Sequence, residues 1–466
     1  MDQTITLSRI LVRQWKALDA QTIPQDVKQH GVMHCLDACG VGLAASSLDQ
    51  GVPYARYAQG LGVGQNKGPA DVLNGMGQCS MADVALINGG LIHSLEYDNT
   101  HTASIVHGSA VLLAASLAAA QGTGTRPDQM LTAYIKAYEI LIRIGLAGQG
   151  GFQKHGFQIT SVAGALVSAL LACDLMGGDE DTCVHAIGIA LSQASGVFEF
   201  LSNGSTVKSF HPGWSAHAGL VAAALACAGL QGPETAIEGS RGLYQAFTRD
   251  GDAAARFAKE LQDFGTQWHM RDVAIKLVPS CHYLHGFVET AAEVMDHIHD
   301  ASLIDQIHVR IAEPTAAIVC EPWTLKQNPQ TGHAVRWSLP VIVALQMIEG
   351  RVDLDSFVSV PRQEVLDLAK RITWSPLRPH FFPARFEASM SVTLQDGRVI
   401  EAYRPDVLGN ASRPASEDMI IEKFRSNALR ALPSGSVDAV LNFWLSVETA
   451  GDFSALSHAL ALTIKG

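Results

Sequence analysis

"TSVAGALVSALLACDLMG" (residues 160–177) and, one glycine later, "DEDTCVHAIGIALSQASG" (residues 179–196) decide the fold. Their apolar residues fall on every face instead of one stripe, which suits helices at the centre of a bundle. Asp179 ahead of the run from Cys183 to Ala194 has the form of an N-cap, and both stretches close on glycine. The pattern recurs in "PDQMLTAYIKAYEILIRIGLA" (127–147) and "GWSAHAGLVAAALACAGLQG" (213–232), so helices are expected from Met81 to about Phe264. Upstream, residues 5–50 keep helical spacing, with "HGVMHCLDACGVGLAASS" (30–47) as the longest run.

The texture changes near residue 270. "RDVAIKLVP" and "IDQIHVRIAEP" have the look of strands around a helical "CHYLHGFVETAAEVMDHIHD", a β-α-β arrangement. "FEASMSVTLQDGRVIEAYRP" is a hairpin about an Asp-Gly turn at Asp396–Gly397. From Ser416 the chain returns to helix. The expected fold is mainly α: a large all-helical domain over 1–269, completed by 407–466, with a smaller α+β lid domain inserted at 270–406.

Composition excludes several functions. Of the 466 residues 47% are hydrophobic and 17% charged, with a net charge of −12, and no Lys/Arg-rich block occurs. A nucleic-acid partner would need a basic face. No window offers about 18 uninterrupted apolar residues, so no transmembrane helix and no membrane partner are expected. The chain begins polar at Met1, without a secretory pattern. The eight cysteines lack CxxC pairs. Together these predict a cytoplasmic, reduced protein, and the low charge suits a subunit interface, giving a homodimer as the expected assembly.

Chemistry concentrates on four breaks between apolar helices. "GGLIHSLEYDNTHTASIVHGSA" (89–110) holds His93, His101, His107, Glu96, Asp98 and Thr100. "GFQKHGFQITS" carries Lys154 and His155; "SNGSTVKSFHPGWSAH" carries Lys208, His211 and His217. "KLVPSCHYLHG" and "HAVRWSLP" bring Lys276, His282, His285, His333 and Arg336. Loops on a rigid scaffold are where binding residues gather, and cations collected in an acidic protein suit a small polyanion such as a di- or tricarboxylate. No HExxH or G-x-S-x-G occurs, and the Gly-rich "GLGVG" and "GQGG" lack a strand–helix setting, so neither a metal site, a serine hydrolase nor a nucleotide loop is expected. His185, His308 and His458 read as ordinary hydrogen-bonded histidines.

In this order the motifs resemble the MmgE/PrpD family over nearly the whole chain. The resemblance rests on "HSLEYDNTH" followed by "VHGSA", "KHGFQITSVAGA", "VKSFHPGWSAHAG" with "GLQGPETAIEGSRGLY", "KLVPSCHYLH", and "HAVRWSLP". It implies a helical domain with an α+β lid. The activities it implies are dehydration of 2-methylcitrate, decarboxylation of cis-aconitate or epimerisation of iminodisuccinate, with no metal or organic cofactor. Each breaks or remakes a C–H next to a carboxylate, which asks for cations and a group able to move a proton. Carried over by motif, proton transfer falls to His155 or Lys208. Thr100 and His107 orient a carboxylate, and Glu96 or Asp98 holds a histidine in its tautomer. Lys276, Cys281 or His282, and His285 complete the set from the lid, so a cleft between the two domains is expected.

Three departures stand out. Gly108 replaces a common Pro, Asn99 a common Asp, and "TAAIVCEP" (315–322) lacks the tyrosine of the decarboxylase branch. The missing tyrosine favours an epimerase-like reaction, with dehydratase and decarboxylase as alternatives. A helical dicarboxylate-binding protein without turnover is the non-enzymatic alternative.

Overall fold

Thr6, Ser80, Asp179 and Ser416 each accept a hydrogen bond from a backbone N–H three residues on, and each starts a helix. A computed structural model describes residues 5–64, 68–73, 75–202 and 205–461. The polar start at Met1 and the Asn203–Gly204 pair ahead of Lys208 lie outside the described residues. The chain is mainly helical, with only small sheets. It forms two units, one of residues 1–275 with 416–466 and the other of 276–415.

The first unit is built on α1 (Gln25–Ser46), α2 (Met81–His93), α3 (Gly108–Thr123), α4 (Pro127–Gly148), α5 (Ile159–Leu175), α6 (Glu180–Leu191) and α7 (Phe210–Cys227). α5 is buried from Ile159 to Cys173 and packs against α3, α4, α6 and α7. α7 starts at Phe210, three residues before the expected Gly213, so His211 falls in its first turn. α7 also lies on α2, and their backbones meet at Gly89 and Gly213. A Cβ on Gly213 would stand 2.2 Å from the Leu86 carbonyl oxygen, so only glycine permits the approach. Small residues thereby bring the histidine-bearing ends of α2 and α7 together.

No single helix among the described residues is long and apolar enough to cross a membrane. Gln25–Ser46 and Asp49–Gly60 pass that test only as a bent pair, and the former is buried from Gly31 to Ala45. All eight cysteines are free thiols.

One expected strand belongs elsewhere. Val273–Ala274, inside "RDVAIKLVP", pairs antiparallel with Thr100–His101 in the first unit and takes no part in the larger sheet. Its backbone is satisfied by the loop between α2 and α3. That pairing holds 270–275 in the first unit, so the boundary expected at 270 falls at 276. At the other end Asp406 accepts from Phe386 N, Val407 N and Asn410 Nδ2, which keeps residues beyond the expected 406 in the second unit. The helical unit therefore carries this short ladder and a second one between Ala70–Asp71 and Gln78–Cys79.

In the second unit the strand Ile304–Ile311 pairs parallel with Ile372–Pro376 on one side and antiparallel with Ala388–Leu394 on the other. Val399–Arg404 completes the hairpin on Ala388–Leu394, with Gly397 at φ 87° in the turn. The β-α-β crossover therefore joins Ile304–Ile311 to Ile372–Pro376. Helices His285–Ile298 and Leu339–Glu349 supply its core with Phe287, Ala291, Leu339 and Val343.

Candidate active site

The loop from Ser94 to His107 leaves α2 and enters α3, and two of its non-glycine residues, Glu96 (φ 55°) and Ile105 (φ 59°), are in the left-handed region. Such conformations persist only where surroundings over-determine them, and functional loops are where they gather. Here the loop wraps around Asp98.

Asp98 is fully buried, and its Oδ2 lies 2.9 Å from His93 Nδ1 and 3.4 Å from His107 Nδ1. Burial alone would raise this carboxyl; the two imidazoles outweigh it and hold it well below the ordinary value of 3.8. His107 is the N-cap of α3, yet its side chain makes no capping bond. Its Nδ1 meets Thr100 Oγ1 at 3.1 Å, and its backbone N–H donates to Thr160 Oγ1 at 3.0 Å. The His93 and His107 rings stand edge to face, with centroids 4.8 Å apart.

Gln158, at the N-cap of α5, reads both neighbouring helix ends. Its amide nitrogen lies 3.4 Å from His93 Nε2, and its oxygen lies 2.6 Å from His211 Nδ1. Assigned from these partners, His93 carries its proton on Nδ1, toward Asp98, and His211 gives its Nδ1–H to Gln158. Burial, then His93 and Lys208, push His211 down to about 4.

Lys208, in a short turn before α7, donates to both Glu96 oxygens at 2.6 and 2.7 Å. Its side chain is 16% exposed and that of Glu96 6%, so the two form a largely buried ion pair. Glu96 thus pairs with Lys208, while Asp98 pairs with His93 and His107. Asp98 does not serve as a helix cap.

His155 closes a short turn, half-buried, with Nδ1 2.9 Å from the Gly151 carbonyl. An N–H given to a carbonyl leaves Nε2 with the lone pair, the form a proton acceptor needs. His155 and Gln158 lie on one short connection, which bonds back to Gly196 and Phe198.

The second unit carries its own set of basic residues. Lys276, His282, His285 and Arg336 are all buried, and the His282 and His285 rings lie 4.8 Å apart. Arg336 Nη1 donates to the Pro279 carbonyl at 2.6 Å, which ties down the turn between Lys276 and His282.

Two of the departures have packing reasons. A Cβ on residue 108 would lie 2.4 Å from the Tyr138 ring, so Gly108 makes room for Tyr138. Asn99 donates to Ser109 Oγ at 2.7 Å and accepts from Tyr138 OH at 2.9 Å, a pair of roles a carboxylate cannot fill. Lys423, missed in the sequence, completes the loop's support. From the helix Glu417–Ala428 its Nζ reaches Asp37 Oδ1 of α1 at 2.6 Å and donates to the Tyr97 carbonyl at 2.9 Å, between Glu96 and Asp98. No spacing joins residues so far apart in the chain, and the role of Gln158 was equally hidden.

Among the described residues, His93, Asp98 and His107 bring three ligand-type atoms within 4.8 Å of one another, as do His101, His269 and Asp272. In the first group both imidazoles address one carboxylate oxygen, so the contacts already form a hydrogen-bond network.

The helical scaffold thus buries a carboxylate between two imidazoles, with the Lys208–Glu96 ion pair beside them. Residues 10–256 match the MmgE/PrpD N-terminal domain and residues 278–443 the MmgE/PrpD C-terminal domain. The chain belongs to the MmgE/PrpD family, and it is an enzyme. It is similar to "Cis-aconitate decarboxylase-like protein oryM" of Aspergillus oryzae, 27% identical over 463 residues, with 94% of each chain covered. It is also similar to the cis-aconitate decarboxylase of Aspergillus terreus, 26% identical with 96% of this chain and 94% of that one covered. For the cis-aconitate decarboxylase of Homo sapiens the identity is 26%, over 81% of this chain and 78% of that one.

Proposed function

We propose that this enzyme moves a proton at a carbon next to a carboxylate of a small di- or tricarboxylate, without a metal or organic cofactor. The observation that carries the reading is the shared network of His93, Asp98, His107 and Thr100, with Glu96 of the same loop paired to Lys208. A carbanion or enediolate forming there gains from fixed positive charge and from donors in a site poor in water. His155 is the proposed proton carrier, with Lys208 as the charge facing the substrate and the second candidate for that step. Thr100 and His107 bind a carboxylate, and Asp98 fixes the imidazoles. Lys276, His282 and His285 are the proposed carboxylate-binding groups of the second unit.

Within this class, decarboxylation of a cis-aconitate-like tricarboxylate is the first reading. It rests on the near full-length similarity to proteins of that name. An alkene carbon would take the proton while the C–C bond to one carboxylate breaks. The released pair would form the new double bond as carbon dioxide leaves. The epimerase reading is second, favoured by the lack of a tyrosine in "TAAIVCEP". The sequence alone ranked the two the other way. Incubating the protein with cis-aconitate, iminodisuccinate, citrate and 2-methylcitrate and following each by NMR tests both. Conversion of cis-aconitate supports the first reading, stereochemical exchange of iminodisuccinate the second, and dehydration of 2-methylcitrate displaces both. Binding without conversion of any of the four would make the chain a dicarboxylate-binding protein and end the proposal.

A further inference from the structure

Away from the Asp98 network, the last turn before the chain leaves the first unit gathers a second set of donors that the proposed chemistry does not use. His269 and Asp272 are the ends of a 3-10 turn, His269–Asp272, where residues three apart eclipse one another. The turn leads directly into Val273–Ala274, whose partner strand carries His101, paired across from Val273. One ligand atom from each of His101, His269 and Asp272 lies within 4.8 Å of the others.

Each donor is prepared in a different way. His101 is 3% exposed, and its Nδ1 lies 2.7 Å from Ser104 Oγ and accepts from the Ser104 backbone N–H at 3.3 Å, which fixes the ring. His269 Nε2 is buried with no hydrogen-bond partner, a polar atom left without an explanation. Asp272 is exposed and can change rotamer. The charge around them is mixed. Arg143 faces this region, but Asp263 Oδ1 lies 3.1 Å and Glu139 Oε2 3.6 Å from its Nη2, which leaves Asp272 to add a negative charge.

We propose that His101, His269 and Asp272 form a binding site for a divalent transition-metal ion of the zinc class, separate from the acid–base network. Two imidazoles and one carboxylate suit zinc and its neighbours better than magnesium or calcium, which prefer all-oxygen shells. Tetrahedral zinc with bonds of about 2.0–2.1 Å needs its ligand atoms roughly 3.4 Å apart. Rotation of the exposed Asp272 and a small closure of the rings provide that, with water as a fourth ligand. The ion would staple the Thr100–His101 strand to Val273–Ala274, at the point where the chain leaves the first unit. Its effect would fall on the stability of that ladder, with no part in proton transfer.

The test uses the full chain stripped by chelator and titrated with Zn2+, with Co2+ as a spectroscopic probe. One equivalent of Zn2+ should raise the melting temperature by a few degrees when well above its Kd. Co2+ should develop the intense visible bands of a low-coordinate nitrogen–oxygen site. His269→Gln should abolish both effects, and the surface change Asp272→Asn, which keeps the fold, should weaken the Zn2+ shift at least tenfold in midpoint. A melting temperature indifferent to Zn2+ would overturn the proposal. So would a shift that survives in both variants while Zn2+ blocks turnover, since the ion would then occupy His93, Asp98 and His107.

Discussion

Asp98 gives Oδ2 to two imidazoles, while its buried Oδ1 has no hydrogen-bond partner among the described residues. Asp98→Asn would present His93 with an amide of the same shape and remove the charge that orients it. Turnover should fall about 100-fold or more with the fold retained, measured by kcat/KM beside circular dichroism. Lys208→Met keeps the aliphatic stem but leaves Glu96 without this cation. If Lys208 serves the transition state, kcat/KM should drop about 100-fold or more, while an idle surface lysine would leave turnover unchanged. The buried histidines set a pH dependence of stability. Burial, then His30 and Lys423, push His34 down to about 3, and His211 is pushed down to about 4. Both are neutral in the fold, whereas the unfolded chain protonates them near 6.5. Between those values the unfolded state binds protons that the folded state does not, so stability falls as pH falls, by up to about 1.4 kcal/mol per unit for each group. Asp98 acts in the same direction at lower pH: its stabilisation is present above the ordinary carboxylate value of 3.8 and is lost as pH falls from there through its lower folded value. Melting temperature should therefore decline from pH 7 to 5, and His34→Gln should flatten that slope; an unchanged slope would contradict the assignment.

At the scale of elements, the close contacts of small residues make the strongest demands. Gly108→Ala would drive a methyl into the Tyr138 ring and should cost about 1–3 kcal/mol, read from the denaturant midpoint. The helix Glu417–Ala428 supplies Lys423, whose side chain is 3% exposed against a fully buried Asp37. Lys423→Met should destabilise by about 3–5 kcal/mol, and adding Asp37→Asn should recover part of that loss. Because Lys423 also holds the Tyr97 carbonyl, turnover should stay low even in the recovered double variant. Much of the element scheme was legible in the sequence. All-round apolar runs, the Asp179 cap and the Asp-Gly hairpin each follow from local chemistry and match the helices and strands found. The strand Val273–Ala274 was assigned to the wrong sheet, because two residues of β-character carry no information about their partner. The loop residues Glu96, Asp98, Thr100 and His107 could be picked out by type, but their pairings could not. Which acid takes the lysine and which the histidines depends on the left-handed turn at Glu96.

Over the whole molecule, the chain leaves the helical unit after Ile275 and returns at Ser416, so the helices around the acid–base loop come from both ends of the sequence. The resemblance seen in ordered motifs and the match to both family domains agree on the family of this enzyme. Metal-free chemistry is part of the proposal. Exhaustive chelation should leave kcat and KM unchanged, even if it lowers the melting temperature by emptying the His101 site. A loss of turnover restored only by a divalent ion would refute it. In the proposed chemistry, carbon–hydrogen bonds next to a carboxylate are made with a proton exchanged with solvent and carried by this network. The most direct measurement is turnover of cis-aconitate in deuterated water, with the product analysed by NMR and mass spectrometry. One solvent deuterium is expected at a single carbon of each product molecule, with slow or absent incorporation in a folded His155→Asn variant. Product formed at full rate with no deuterium on carbon, or a His155→Asn variant equal to the parent, would contradict it.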